Sequence, residues 1–362
     1  MIIVVVKSTG YFATAIICIA VIFNSVIFFT GSVKNNPNIT SSSMATLTDP
    51  KGTISSINSG QATSIEAPAN NPVNPNDPSF ARQWALTEMH ISHLWSITQV
   101  SKSIKIAILD TGIDANHEDL KDKIVAEANF TESPTESDIY GHGTHIAGII
   151  CAISNNGIGV TGLVSDCQIL NVKVADDYGF CDEEAVARGI KWAVENGANI
   201  INISLEIRNP SLELENAVNY AWEQGVLIVA AAGNQGNNFV TYPAYYENSL
   251  AVAAVKRDNN LAPLSNSGDW VDVAAPGFNI YSTLPGNKYG YESGTSFAAA
   301  YVSGIAALLS QSISDTDGDG RLNDEIRSAI ETSCRPLSCP GYTFGIFDAD
   351  SYIQKCDLAN FK

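Results

Sequence analysis

The chain has 362 residues, 45% of them hydrophobic, with 38 Asp and Glu against 20 Lys and Arg for a formal net charge of −18. That length supports one substantial core with appendages. An acidic balance of this size argues against nucleic-acid binding, which draws its affinity from cationic contacts to phosphate, and it suits a soluble exported protein.

Residues 11–30 are almost wholly apolar, between Lys7 and Lys34 and interrupted by Asn24. The run is long for a signal peptide's apolar region and long enough to span a bilayer. Residues 1–32 are therefore expected to be a cleaved signal or a retained membrane anchor, with Thr30-Gly31-Ser32 a weak cleavage candidate. Either way the protein is expected outside the cell, secreted or tethered to the surface through residues 11–30. Residues 33–74 are rich in Ser, Thr, Asn and Pro without periodicity, the mark of a low-complexity linker or short pro-segment. One folded domain is expected over 75–356, with a tail at 357–362.

Within that domain, Ile104 to Asp110 reads as a buried strand ending on a carboxylate, followed by Thr111-Gly112. Gly141-His142-Gly143-Thr144-His145 opens an apolar helix, with glycines that let backbone pack closely around His142. Strands and helices then alternate: strand 168–174, helix 183–196, strand 199–204, helix 212–224, strand 226–230. The pattern predicts an α/β fold, a mostly parallel sheet with helices on both faces in three layers. Ala230-Ala231-Ala232-Gly233-Asn234 follows the last of these strands. Gly294-Thr295-Ser296 leads into an Ala-rich apolar run, predicting a tight turn and a buried helix with Ser296 in its first turn. Backbone N–H groups and the helix dipole there favour negative charge on a neighbouring oxygen.

Asp315-Thr316-Asp317-Gly318-Asp319-Gly320 alternates carboxylates before a glycine, as in the first half of an EF-hand loop, and predicts a calcium site at Asp315, Asp317 and Asp319. The twelfth position is Ile326, with Glu325 one residue early, and Asn323 reads as the N-cap of a helix over 324–332. Seven cysteines include Cys18 in the leader; the other six permit disulfides after export. Cys334 and Cys339, around Pro336, are the expected pair. Cys151 reads as a small core residue, and Cys167 and Cys181 as opposite ends of one strand, too far apart to join.

Taken singly, Asp110 reads as a turn residue, His142 as a core histidine and Ser296 as a helix cap. The order Asp, His, Ser with these flanks resembles the subtilisin family over about residues 75–355, most nearly its thermitase-like branch. The resemblance implies an exported serine endopeptidase acting on proteins or peptides through an acyl-enzyme. Ser296 would be the nucleophile, His142 its general base, Asp110 the orienting carboxylate and Asn234 an oxyanion donor. It implies a calcium ion held by the Asn156 side chain, the carbonyls of Ile153, Ile158 and Val160, and Asp77 and Asp119. It also implies substrate-binding segments at Ser204-Leu205-Glu206 and around Gly179, which pair with an extended peptide. Glu206, where the family usually has glycine, together with Asp182 and Glu183, predicts a preference for basic substrate residues. Ala300 stands where the family usually has proline, and Tyr301 where it has histidine; residues 31–74 are too few for the usual folded pro-domain. A monomer is expected. The alternative is a subtilase-like scaffold that has lost turnover. A zinc site at His142 and His145 lacks further ligands, and no cysteine occupies the nucleophile position.

Overall fold

The computed structural model describes residues 15–22, 25–32, 74–98 and 104–360. The linker expected at 33–74 lies, but for residue 74, outside them, as do 361–362 of the expected tail. Residues 1–67 and 68–362 form two separate compact units. In the first, β1 (Ala15–Ile22) and β2 (Ser25–Ser32) pair antiparallel, with Ala15 opposite Ser32 and Ile22 opposite Ser25. Both strands fall within the stretch expected to be a leader, whose residues 1–14 and 23–24 lie outside the described residues. Among the described residues no helix is long and apolar enough to cross a membrane.

The second unit opens with two short helices, α1 (Trp84–Glu88) and α2 (Ile91–Ile97). Then follow β3 (Lys105–Asp110), β4 (Ile124–Asn129), α3 (His142–Cys151), β5 (Gln168–Lys173) and α4 (Glu183–Glu195). After these come β6 (Ile200–Ile203), α5 (Leu212–Glu223), β7 (Leu227–Ala231), β8 (Ser249–Val255) and β9 (Val273–Pro276). The chain continues through β10 (Ile280–Leu284), β11 (Lys288–Glu292), α6 (Thr295–Leu309) and α7 (Asn323–Thr332). It closes with β12 (Cys334–Pro336), β13 (Gly345–Phe347) and α8 (Ala349–Asn360).

Nine strands form one sheet in the order β12-β13-β9-β8-β7-β6-β3-β5-β4, parallel except for β12, which runs antiparallel to β13. Strand alternation builds the layers. Ile106 and Ile108 of β3 pack with Ile146 of α3 and with Phe297 and Ala298 of α6. Ala107 and Leu109 turn the other way, onto Ala185 and Ile190 of α4 and Leu214 and Val218 of α5. This is the expected three-layer α/β fold, with strand and helix limits within about two residues of those read from the sequence.

The first strand of the sheet, β3, lies between β5 and β6, so the strand order reverses at its carboxyl end. Open α/β sheets place ligand sites in that crevice. All fifteen residues of α6 are buried, and the helix runs unbroken through Ala300, as the missing proline predicts. At Gly304 a Cβ would stand 2.9 Å from that of Leu163, so the helix sits too close to the neighbouring chain for a side chain there.

The cysteines pair otherwise than expected. Cys151 and Cys167 form a disulfide with a Cα separation of 6.2 Å, while Cys334 and Cys339 are free thiols. The pair follows from the fold. The last residue of α3 stands over the entry to β5, and both cysteines are buried among the same core side chains. Asn323 is likewise not a cap: Leu322 is, and the Asn323 amide donates to Trp222 O at 3.1 Å.

Candidate active site

Asp110 ends β3 and is wholly buried. The backbone N–H and hydroxyl of Thr111 donate to its Oδ1 at 2.7 and 3.2 Å. His142 is the first residue of α3, after Gly141 in a left-handed conformation (φ 105°). Its Nδ1 stands 2.7 Å from Asp110 Oδ1. A carboxylate only accepts, so Nδ1 carries the proton and Nε2 is left as the basic nitrogen. At Gly143 a Cβ would fall 2.1 Å from Gly112 O and 3.1 Å from Asp110 Cβ, which is why no larger residue could follow the histidine.

Burial is the largest influence on His142 and opposes its charge. The charge and hydrogen bond of Asp110, with Asp138 and Glu292 further off, outweigh it and raise the imidazole above its ordinary 6.5. His145, one turn on, has no such carboxylate. Burial drives it down to about 3, so it is a neutral ring packed edge-on to Phe297.

Ser296 is the second residue of α6 and 5% exposed. Its hydroxyl donates to Ser204 O at 3.1 Å, and no hydrogen bond joins it to His142. The Ser204 hydroxyl in turn donates to Ser296 O at 3.0 Å. Asn202 Nδ2 donates to Ser204 Oγ, and Ser303 Oγ donates to Asn202 Oδ1, both at 2.9 Å. This buried chain fixes α6 against β6. After β7, Asn234 Oδ1 accepts from Thr295 N at 2.8 Å and Thr295 Oγ1 at 3.2 Å, leaving Nδ2 as the group free to donate. His142, Asn234, Ser296 and Glu292 all line one open cavity of about 390 Å³.

Asp138, Asn202, Ser303 and Glu292 are not found by sequence reasoning. Asp138 is buried and accepts from Thr111 Oγ1 (2.9 Å), Gly141 N (2.7 Å) and Thr144 N (2.8 Å), fastening the start of α3 beside Asp110. Burial raises its pKa in spite of those bonds. The available signals were an acidic residue just ahead of a helix and lone polar residues, Asn202 and Ser303, inside apolar runs.

The expected substrate segments are placed unevenly. Ser204 and Leu205 are buried, and Glu206 Oε2 accepts from Gln235 Nε2 at 2.5 Å. Gly179 (φ 83°) turns a loop closed by the Ala175–Cys181 bridge and lies against the Tyr140 ring. Asp182 is committed to capping α4, accepting from Ala185 N at 2.7 Å, and Glu183 begins that helix.

The residues expected to bind calcium converge from three parts of the chain. Asp77 accepts from the backbone of Asn155, Asn156 and Gly157 and from Thr161 Oγ1 (2.6 Å). Asp119 accepts from Asn156 Nδ2 and Val160 N, each at 2.8 Å. Both carboxylates are buried, and burial raises the Asp119 pKa. Among the described residues no hydrogen bond reaches the backbone oxygens of Ile153, Ile158 or Val160. By donor type, three carbonyl oxygens and two buried carboxylates suit a hard cation, which would require the Asn156 amide to turn its oxygen inward.

The 315–320 loop is different. Asp315 accepts from Gly318 N and Gly320 N, but Asp319 is turned away into an ion pair with Arg321. Glu325 takes its place: its carboxylate and those of Asp315 and Asp317 bring oxygens within 4.8 Å of one another. Of the residues expected at a calcium site here, Asp315 and Asp317 stand together, whereas Asp319 is paired with Arg321.

Residues 101–345 match the family model described as the Subtilase family. The chain is 43% identical over 269 residues to thermitase of Thermoactinomyces vulgaris, covering 74% of this chain and 94% of that one. It is 41% identical over 280 residues to a thermophilic serine proteinase of Bacillus sp. (strain AK1), covering 77% and 68%. Among solved structures it is similar to a protease of Pseudoalteromonas arctica, with a TM-score of 0.70 and 29% identity over 78% of this chain and 99% of that one. A cold-adapted subtilisin-like serine proteinase gives a TM-score of 0.61 at 28% identity, covering 68% and 88%.

Proposed function

The chain belongs to the subtilase family and is a subtilisin-type serine endopeptidase, and from that premise we propose that Ser296, His142 and Asp110 are its catalytic triad. The observation that carries this reading is the 2.7 Å contact between His142 Nδ1 and Asp110 Oδ1, on the wall of the cavity that also receives Ser296 and Asn234.

A rotation about the Ser296 side chain swings Oγ from the Ser204 carbonyl to His142 Nε2. Oγ then attacks the substrate carbonyl carbon while its proton passes to Nε2. The imidazolium so formed is held by Asp110, which stays ionised. The oxyanion is met by Asn234 Nδ2 and the Ser296 backbone N–H at the positive end of α6; one such donor is typically worth about 10²–10³ in turnover. His142 returns the proton to the leaving amine, and water repeats the sequence on the acyl-enzyme.

Calcium, when bound at Asp77, Asp119 and Asn156, supplies positive charge that neutralises the two buried carboxylates. These residues themselves join the domain's N-terminal arm to the loop after α3. Export is supported by the apolar stretch at 11–30 and by the Cys151–Cys167 disulfide, which needs an oxidising compartment. The substrates are proteins or peptides and the protein acts as a monomer, either secreted or surface-tethered. Any preference for basic residues rests on Glu206, since Asp182 is a helix cap.

Active-site titration with a fluorophosphonate tests the assignment. Stoichiometric labelling at Ser296 is expected, lost in His142→Ala; an unlabelled, folded protein would make the chain a scaffold instead.

A further inference from the structure

Away from the catalytic cavity, four ionisable side chains meet where the chain's first helices pack on its last. His90 stands between α1 and α2, and Asp348 and Asp350 flank Ala349 at the start of α8. His90 Nδ1 lies 3.4 Å from Asp348 Oδ2 and 3.3 Å from Asp350 Oδ2. It is nevertheless buried at that atom without a hydrogen-bond partner. The nitrogen thus stands within ion-pair distance of two carboxylate oxygens without hydrogen-bond geometry to either, on a side chain that is 44% exposed.

The distances suit a different partner. Zinc takes imidazole nitrogen and carboxylate oxygen at about 2.0–2.2 Å in a tetrahedron, whose edges are then roughly 3.3–3.5 Å. The two His90 contacts have that length, and the three donor atoms all lie within 4.8 Å of one another. The remaining carboxylate oxygens are held from outside. His93 Nδ1 bonds Asp350 Oδ1 at 2.6 Å, and Ser351 N donates to Asp348 Oδ1 at 3.0 Å. Such outer contacts orient metal ligands.

Arg335 must be counted too, since its Nε is 3.2 Å from Asp348 Oδ2. It also pairs with Glu88 at 2.9 Å. Three carboxylates against one guanidinium leave two negative charges when His90 and His93 are both neutral, the charge a divalent cation balances. Backbone bonds from Ala349 N to Met89 O and from Asp348 N to Ser333 O set the ligands in place without the metal.

We propose that His90, Asp348 and Asp350 form a zinc site, with His93 as an outer support and water at the fourth position on the exposed side. It would tie α2 to α8 and close the domain's two ends on each other. Imidazole with two carboxylates favours a first-row transition metal over calcium.

The test uses the full chain carrying Ser296→Ala, to prevent self-cleavage, saturated with calcium and titrated with zinc chloride by calorimetry. One zinc ion per chain is expected, with a rise in Tm. His93→Ala should weaken binding about 10–100-fold, and His90→Ala and Asp350→Asn more than that. Cobalt(II) should bind in zinc's place with the visible spectrum of a tetrahedral site, absent in His90→Ala. Asp350 is partly exposed, so Asp350→Asn decides the matter if His90→Ala fails to fold. No zinc binding, or zinc binding that survives either substitution, would overturn the proposal.

Discussion

The cavity lined by His142 and Ser296 and the loop at 153–161 are built on the same device, a buried carboxylate at the meeting of distant segments, and the proposed function puts it to different ends. At Asp110 the partner is an imidazole, whose pKa burial lowers but the charge and hydrogen bond of that carboxylate raise. At Asp77 and Asp119 the partners are backbone N–H groups, a hydroxyl and an amide, none of which titrates there. On the proposed function, the first arrangement makes chemistry and the second makes a fastening. If that division holds, substitutions should separate activity from stability cleanly.

The largest effect should be at the cavity. Ser296→Ala should reduce peptidase activity to the roughly 10³–10⁴-fold over water that oxyanion donors and binding alone provide. Its Tm, read by calorimetry, should fall by no more than the loss of one hydrogen bond to Ser204 O, about 0.5–1.5 kcal/mol. Substantial turnover in that variant would remove Ser296 from its role.

At the fastening the order reverses. The Cys151–Cys167 disulfide closes the segment that contains the 153–161 loop, and a loop of about fifteen residues is worth about 3 kcal/mol in the chain-entropy account. Cys151→Ala should therefore lower Tm by several degrees, at about 2–4 °C per kcal/mol in a large domain, while kcat at low temperature is kept. A Tm equal to that of the parent would mean the bridge contributes nothing.

Asp119→Asn should cost somewhat less, about 1–3 kcal/mol for the donors left poorly matched, and should abolish most of the Tm loss caused by EDTA in the parent. The exposed Asp317→Asn should shift Tm by no more than about 0.5 kcal/mol's worth. Equal losses at Asp119 and Asp317 would erase the distinction between a buried and a solvated acidic site.

The smallest effect sharpens the cavity side. His142 must be neutral to accept the Ser296 proton, so kcat/KM should fall as pH drops through its raised pKa, above 6.5. Glu292→Gln removes one of the charges that raise it, and the acid limb should move to lower pH. The same raised pKa contributes stability that is full below the unfolded value of 6.5 and is lost as pH rises through the folded one. A limb that stays in place would show that Glu292 does not reach the imidazole.

What could be read from the sequence divides along chain distance. Asp110, His142, Asn234 and Ser296 each sit in a short run whose glycines, alanines and apolar neighbours announce a strand end or a helix start. The layers were legible for the same reason, since Ile106 to Asp110 and Leu227 to Ala231 carry their own burial pattern. Contacts made only by folding were not. Asp138 matters because it meets Thr111, and Asn202 because it meets Ser303. Glu325 replaces Asp319 because Arg321 draws that aspartate aside. The Cys151–Cys167 pair depends on where α3 ends relative to β5, while Cys334 and Cys339 were close only in number.

The place of β3 within the sheet has a consequence in time. It is the first strand of the sheet to be synthesised, yet both its neighbours, β5 and β6, come later, and α6 arrives only after nearly all the strands exist. Pairing of that kind makes folding slow, because long loops must close before any contact rewards them. Asp110 and His142 are therefore made long before Ser296, which reaches them only when α6 enters the core. On the proposed triad, an emerging chain would carry two of its three residues harmlessly, and the late docking of a single helix would delay the moment at which the enzyme can cut its own neighbours.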